Sequence, residues 1–212
     1  MKMDKPKIPK LLDELDVSRL IEVEEERFIS RGIVSEWNVL ELPDSKISFD
    51  QVLFQDVSFE GVRFDKVEFI DCKFERCDLS NVDFGDSVFH RVEILQSKLV
   101  GAQCTQSRFS HVLVQGCVAN YAAFSFSKIK QVKFEKTALN KADFFECTFE
   151  KVELYECELD GVNFSETSLE NIDLSTCTYE DITVSMEKLA GCTVSEEQAM
   201  GFAKSLGLLI KE

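Results

Sequence analysis

This 212-residue chain is short of basic residues relative to acidic ones, has only two histidines and lacks long apolar runs. Its 24 lysines and arginines stand against 39 aspartates and glutamates, a formal net charge of −15. That balance argues against nucleic acid or an anionic membrane as the main partner, because both demand a basic footprint, and leaves a basic partner as the more natural one. No apolar run approaches the roughly 20 residues that span a bilayer. The opening stretch MKMDKPKIPKLLDELD lacks the apolar centre of a secretion signal, so a cytoplasmic address is expected. The two histidines, His90 and His111, could pair as a metal or acid–base site, but no carboxylate or nucleophile converges on them. Phosphate loop, nucleophile elbow and paired CxxC motifs are all missing, so neither an enzyme nor a bound metal or cofactor is expected.

What the chain does have is a period of five. From Phe49, Phe54, Phe59, Phe64, Phe69 and Phe74 onward to Val194, all thirty positions in steps of five are apolar or aromatic, against a chain-wide frequency of 44%. A helix does not explain this, since five steps of about 100° carry each ring about 140° around the axis. A flat strand fails too, because five steps of its alternation place successive rings on opposite faces. A fixed short period with every ring turned inward is the mark of a solenoid. A second register agrees: the positions two before the rings are small or branched, as in Val52, Val57, Val62, Val67, Cys72 and Cys77. At a spacing of twenty these residues sort into like columns, Ser87, Ser107, Ser127, Cys147 and Thr167 among them. Coils of twenty residues have four sides, and stacking about eight of them at about 4.8 Å gives a rod of about 40 Å.

Pentapeptides such as CDLSN (77–81), VDFGD (82–86), VNFSE (162–166) and IDLST (172–176) resemble the A(D/N)LXX pattern of the pentapeptide-repeat family. The resemblance implies an all-β fold, a right-handed quadrilateral β-helix, here with a short C-terminal α-helix. Residues 1–26 read as an N-terminal arm or cap, 27–194 as the β-helix and 195–212 as a helix and strand for dimerisation. The register can be followed back through Val39, Val34 and Ile29 and stumbles at Pro43 and Asp44. It runs unshifted from Ile47 to Val184, so no large projecting loop is expected. Glu187 falls on an inward position that a closed coil cannot tolerate, which ends the regular coils near 184–194. Ser195 and Gln198 then form the signature of a helix start, and Gly207 of a stop. Ala199, Phe202, Ala203 and Leu206 share one face of that helix, and LGLLI after it reads as an exposed strand. The helix serves either as a cap or, with Leu208, Leu209 and Ile210, as a dimer contact.

All eight cysteines occupy inward positions, Cys104 on a ring site and the others in the small register, and read as core filler. Charge is placed rather than scattered. Residues 94–134 contain no acid, whereas 135–187 carry fourteen acids against three bases, a local net of −11. In the twenty-residue register Glu150 stacks on Glu170, Glu153 on Asp173 and Glu146 on Glu166, giving ladders of like charge along the rod. With Glu156, Glu158 and Asp160 these form a candidate partner-binding set. Tyr121, Phe126, Phe145 and Tyr155 break the polar pattern of outward positions and are candidate contact points.

The stretches SVFHRVEI (87–94), ADFFECTFEKVELYECEL (142–159) and SEEQAMGFAKSLGLLI (195–210) resemble the Qnr group of quinolone-resistance pentapeptide proteins, most of all its chromosomal members from Gram-positive bacteria. That resemblance implies a homodimer joined head to head through C-terminal ends. It also implies a DNA-mimicking surface that binds DNA gyrase and topoisomerase IV and relieves quinolone inhibition. Gram-negative members carry projecting loops important for protection, and the unbroken register here has no evident counterpart. The alternative is a pentapeptide-repeat scaffold for a different basic protein.

Overall fold

A corner every fifth residue converts the five-residue period into a square coil. The computed structural model describes residues 2–16, 26–39, 46–64 and 66–210. From Gln51 to Asn171 every fifth residue has φ between +49° and +71°. Between corners the chain is extended, so the ring position and the position two before it both point inward while their neighbours point out. Only four of these twenty-five corners are glycine, Gly61, Gly101, Gly116 and Gly161, and none is β-branched. A β-branched side chain would clash in the left-handed region, whereas Asn, Asp, Gln, Lys, Arg and Glu are tolerated there at modest cost.

Successive coils pair in parallel with an offset of twenty. Strand β1 (Asp13–Glu14) pairs with β2 (Glu26–Ser35), β2 with β3 (Lys46–Gln55), and β3 with both β4 (Glu68–Ile70) and β5 (Lys73–Glu75). Those two pair with β6 (Val88–Leu95), followed by β7 (Arg108–Gln115), β8 (Lys128–Glu135) and β9 (Thr148–Tyr155). Each eight-residue strand wraps one corner and so covers two sides, exemplified by residues 147–150 (side 1) and 152–155 (side 2). Side 3 (157–160) and side 4 (162–165) are joined by single bridges such as Ala138↔Glu158 and Asp143↔Asn163. A pair of short strands, β10 (Val162–Phe164) and β11 (Ile182–Val184), closes the series. The twenty-residue offset holds from β2 to Thr193, and among the described residues no loop projects from it, as the register predicts. The stumble at Pro43 and Asp44 lies outside the described residues.

Inside, the rings stack coil upon coil. Phe49 lies over Phe69 at 5.2 Å and 7°, and Phe124, Phe144 and Phe164 stack at 4.8 and 5.4 Å. Neighbouring columns meet edge to face, as Phe134 does with Phe144 at 5.9 Å and 80°, the arrangement the ring quadrupole favours. Small polar residues in the second register do more than fill space. Ser107, Ser127 and Thr167 donate to the carbonyls of Phe84, Cys104 and Phe144 at 2.8, 2.8 and 2.6 Å. The Cys147 thiol does the same to Phe124 at 3.0 Å. Each hydroxyl also accepts from the amide twenty residues earlier, as Thr167 Oγ1 does from Cys147 at 2.8 Å. These columns satisfy backbone groups at the corners that the sheet ladder leaves over. Seven of the eight cysteines are buried and Cys192 is half-buried.

At the C-terminal end the core thins: Tyr179, Val184, Leu189 and Val194 are only half-buried. A short 3₁₀ turn, Met186–Lys188, swings Glu187 out to solvent and so relieves its inward position. Helix α1 (Glu196–Ser205) begins with the anticipated capping box between Ser195 and Gln198. Gln198 also donates through Nε2 to the carbonyls of Leu174 and Cys177, both at 3.0 Å, tying the helix to the last coil. The segment LGLLI is a correction: Leu206 caps the helix, Gly207 turns at φ +79°, and 208–210 form no strand. An extended segment becomes a strand only beside a partner edge, and no edge is presented to it.

Candidate protein-interaction surface

The acids of the C-terminal coils surround the rod instead of lining one face of it. Glu150 and Glu170 sit on side 1, Glu153 and Asp173 on side 2, Glu158 and Asp160 on side 3, with Glu146, Glu156 and Glu166 at corners. The twenty-residue offset continues through these coils, as at Asp143↔Asn163, Glu158↔Thr178 and Val162↔Ile182, and the acids it carries form an acidic collar. Its lower edge is a row of lysines one coil earlier. Lys130 pairs with Glu150 at 2.8 Å, Lys133 lies in register with Glu153, and Lys136 reaches Glu156 at 3.6 Å. The Lys130 hydrogen bond holds the exposed Glu150 carboxyl below its ordinary range.

Not all of these carboxylates are available to a partner. Asp160 Oδ1 accepts from the amides of Glu180 and Asp181 at 3.1 and 3.2 Å, which closes the last coil. Asp173 accepts from Ser175, a bond that keeps its pKa low. Glu158 is engaged by Asn140 Nδ2, and Glu166 by the Ser185 hydroxyl. Glu146 and Glu170 make no ion pair or hydrogen bond through their carboxylates among the described residues, and both are exposed.

Of the dimerisation set, Phe202 and Ala203 are half-buried, and Phe202 packs against the core. Ala199, Leu206, Leu208, Leu209 and Ile210 are exposed, Leu209 to 97%. Between the helix and the last coil lies an open cleft of about 1010 Å³ lined by Tyr179, Ile182, Val184, Phe202 and Leu206. The Tyr179 hydroxyl is buried here without a hydrogen-bond partner among the described residues. An end that exposes this much apolar surface beside an unsatisfied polar group is incompletely covered.

Three of the four outward rings, Tyr121, Phe126 and Phe145, gather on side 4 and its corners, and Tyr155 lies on side 2. Tyr121 and Phe126 occupy left-handed corners of one coil, exposed to 56% and 50%, and Phe126 meets Phe145 edge-on at 5.4 Å. Lys141 lies 5.4 Å from the Tyr121 ring centre, and Lys133 5.2 Å from that of Tyr155. His90 and His111 meet at 5.9 Å, and burial with the neighbouring Arg91 lowers the pKa of His90. No three potential metal ligands converge among the described residues, and no helix there is long and apolar enough to cross a membrane.

Sequence reasoning expected an N-terminal arm or cap over residues 1–26 but not where it would lie. Lys2, Asp4 and Lys7 bond to Gln131, His111 and Asp71 of one corner column, and β1 pairs along the edge of β2.

Parallel coils of twenty residues with four left-handed corners define a quadrilateral β-solenoid. The profile of the pentapeptide repeat region matches residues 47–124, 87–164 and 127–201, and the chain belongs to the pentapeptide-repeat family. A trypsin-treated form of QnrB1, a plasmid-mediated fluoroquinolone resistance protein, is 17% identical over 85% of this chain and 99% of that one, with a TM-score of 0.44. A second trypsin-treated form is 16% identical over 88% and 100%, with a TM-score of 0.33. The pentapeptide-repeat protein Rfr23 from the cyanobacterium Cyanothece 51142 is 10% identical over 55% and 66%, with a TM-score of 0.22. No curated protein sequence matches the chain.

Proposed function

We propose that this rod is a non-enzymatic cytoplasmic binding protein whose acidic C-terminal coils occupy the basic DNA-binding surface of a type II topoisomerase, DNA gyrase or topoisomerase IV, and thereby relieve quinolone inhibition. The carrying observation is the collar: regularly spaced carboxylates on a straight rod, with Glu146 and Glu170 facing solvent, offer a polyanionic surface of the kind a DNA-binding protein recognises. The resemblance of residues 87–94, 142–159 and 195–210 to the Qnr group narrows the partner from any basic protein to the topoisomerases. Two copies join through their C-terminal ends, where Leu206, Leu208, Leu209 and Ile210 cover one another and the cleft beside Tyr179. The collars then meet at the middle of a rod twice as long.

A supercoiling assay with purified gyrase and ciprofloxacin tests this. Rescue of supercoiling by the wild type, weakened in Glu146→Lys/Glu170→Lys, is the expected result. Absence of both rescue and gyrase binding at micromolar protein overturns it. One observation favours a scaffold for a different basic partner: the acids ring the rod rather than following a single DNA-like line. A protein that binds polycations but no topoisomerase would be that scaffold.

A further inference from the structure

The N-terminal arm shows what the rod's longest edge can hold. Residues 2–10 carry Lys2, Lys5, Lys7 and Lys10 against the single acid Asp4, and Pro6 and Pro9 favour an extended chain. This basic segment lies along one corner column and is bound through its backbone. Gln131 Nε2 donates to the Lys2 carbonyl at 3.1 Å, the Asp4 amide donates to His111 Nδ1 at 3.1 Å, and the Lys7 amide donates to Asp71 Oδ1 at 2.9 Å. Gln131, His111 and Asp71 stand on one edge, so the three contacts span about three coil spacings, or about 14 Å. Backbone contacts read an extended conformation rather than particular side chains, as in other modes of strand recognition.

The acceptor at the lower end is built. The Asp71 side chain is 5% exposed and held in a two-point pair by Arg91 Nε and Nη2, both at 2.6 Å. Burial raises its pKa, but Arg91 and the Lys7 amide outweigh that, so the carboxylate stays ionised. The arm does not fill its bed. An open cleft of about 340 Å³ beside Met3–Pro6 is lined by Glu93, Glu135 and Glu153 together with Lys133, which pairs with Glu135 at 2.5 Å, and another of about 640 Å³ runs past Lys2 to Lys151 and Asn171.

We propose that this edge, from Asp71 to Asn171, is a docking groove for an extended basic segment of a partner protein, with residues 2–10 as its resident occupant, displaced when the partner binds. The groove rests on the basic-partner part of the function proposed above, but not on that partner being a topoisomerase. It supplies conformational selectivity that the collar lacks. Its acids lie beside a track that accepts only an extended chain.

The test uses the full chain and a fluorescent nonalysine peptide, read by anisotropy at about 100 mM salt. Lys2→Gln/Lys5→Gln/Lys7→Gln weakens the arm's hold and should tighten nonalysine binding by about fivefold or more. The control Lys98→Gln/Lys136→Gln/Lys141→Gln changes net charge equally away from the arm and should tighten it by less than about twofold. Adding Glu93→Gln/Glu153→Gln to the arm variant should abolish the gain. In the wild type, saturating peptide should accelerate hydrogen exchange at the Asp4 and Lys7 amides while β6–β8 stay protected. Equal tightening in both triple variants, or unchanged arm exchange at saturation, overturns the groove. The topoisomerase reading is judged separately: arm displacement by nonalysine with no gyrase binding keeps the groove and removes gyrase, and the reverse pattern removes the groove alone.

Discussion

Phe144 and Phe145 are adjacent in sequence and opposite in environment, so truncating each in turn measures how strictly the coil sorts inside from outside. Phe144 is fully buried between Phe124 and Phe164, at 4.8 and 5.4 Å, with edge contacts to Phe134 and Phe149 at 5.9 and 5.7 Å. Its backbone is pinned on both sides, the amide to Asn163 at 2.8 Å and the carbonyl to Thr167 at 2.6 Å. Neighbouring coils therefore cannot close on the void, and Phe144→Ala should cost about 3–5 kcal/mol, the upper end reflecting two lost stacks of about 0.5–1.5 kcal/mol each. Phe145 points outward and keeps one ring contact, to Phe126, so Phe145→Ala should cost less than about 1 kcal/mol. Urea unfolding followed by far-ultraviolet circular dichroism gives both values. In a chain of this length the larger loss corresponds to a melting shift of about 6–20 °C. Because each coil touches only its neighbours, Phe144→Ala should also separate unfolding into two steps. Similar losses in the two variants, or less than about 1.5 kcal/mol for Phe144→Ala, would refute the inside–outside assignment at this coil.

Thr167→Val keeps the shape but removes the hydroxyl shared by Phe144 and Cys147, and chemical denaturation should show a loss of about 1–3 kcal/mol. Seven thiols are buried and only Cys192 is half-buried, so with Ellman's reagent at pH 8 no thiol but Cys192 should react before unfolding. Rapid reaction of several would show the stack to be open. The Asp71 carboxyl is depressed below its ordinary 3.8, so its stabilising effect is complete above that value and lost as pH falls through the lower folded value. Hydrogen exchange should accordingly find the Lys7 amide protected at pH 5 and released only as pH falls below 3.8 through the lower folded value, whereas Asp71→Asn should release it already at pH 5. In the proposed C-terminal dimer two collars of local charge −11 would repel, so that dimer should tighten as salt rises from about 50 to about 300 mM in sedimentation equilibrium. Weakening over that range would point to an ion-paired interface.

The five-residue period made the coil, its four sides and its inward columns legible, because burial is enforced at every step: Phe49, Phe89 and Phe164 are as enclosed as their register requires. The corner itself was equally visible in hindsight, as a column without Val, Ile or Thr from Gln51 to Asn171. The roles of Ser107, Ser127 and Thr167 were not, since hydrogen bonding to a carbonyl twenty-three residues away leaves no local trace. Spacing identified the acids but not their availability. Asp160 and Glu158 turn out to be held by Glu180, Asp181 and Asn140, while Glu146 and Glu170 face solvent. The arm obeys no period, and its place follows from contacts as far apart in sequence as Lys2 and Gln131.

The left-handed corners restrict how this surface can change over generations. Each edge of the rod can exchange lysine for glutamate or glutamine without disturbing the coil, because the backbone asks only that the residue be unbranched at Cβ. Charge can therefore be rewritten along four straight lines while the core columns stay as they are. The first branched residue to reach a corner after Gln51, Thr176, stands where the unbroken run of left-handed corners ends and the last coil begins to depart from the rest. A rod built this way separates the letters that set its length from those that set its partners, so a lineage can alter its target without refolding.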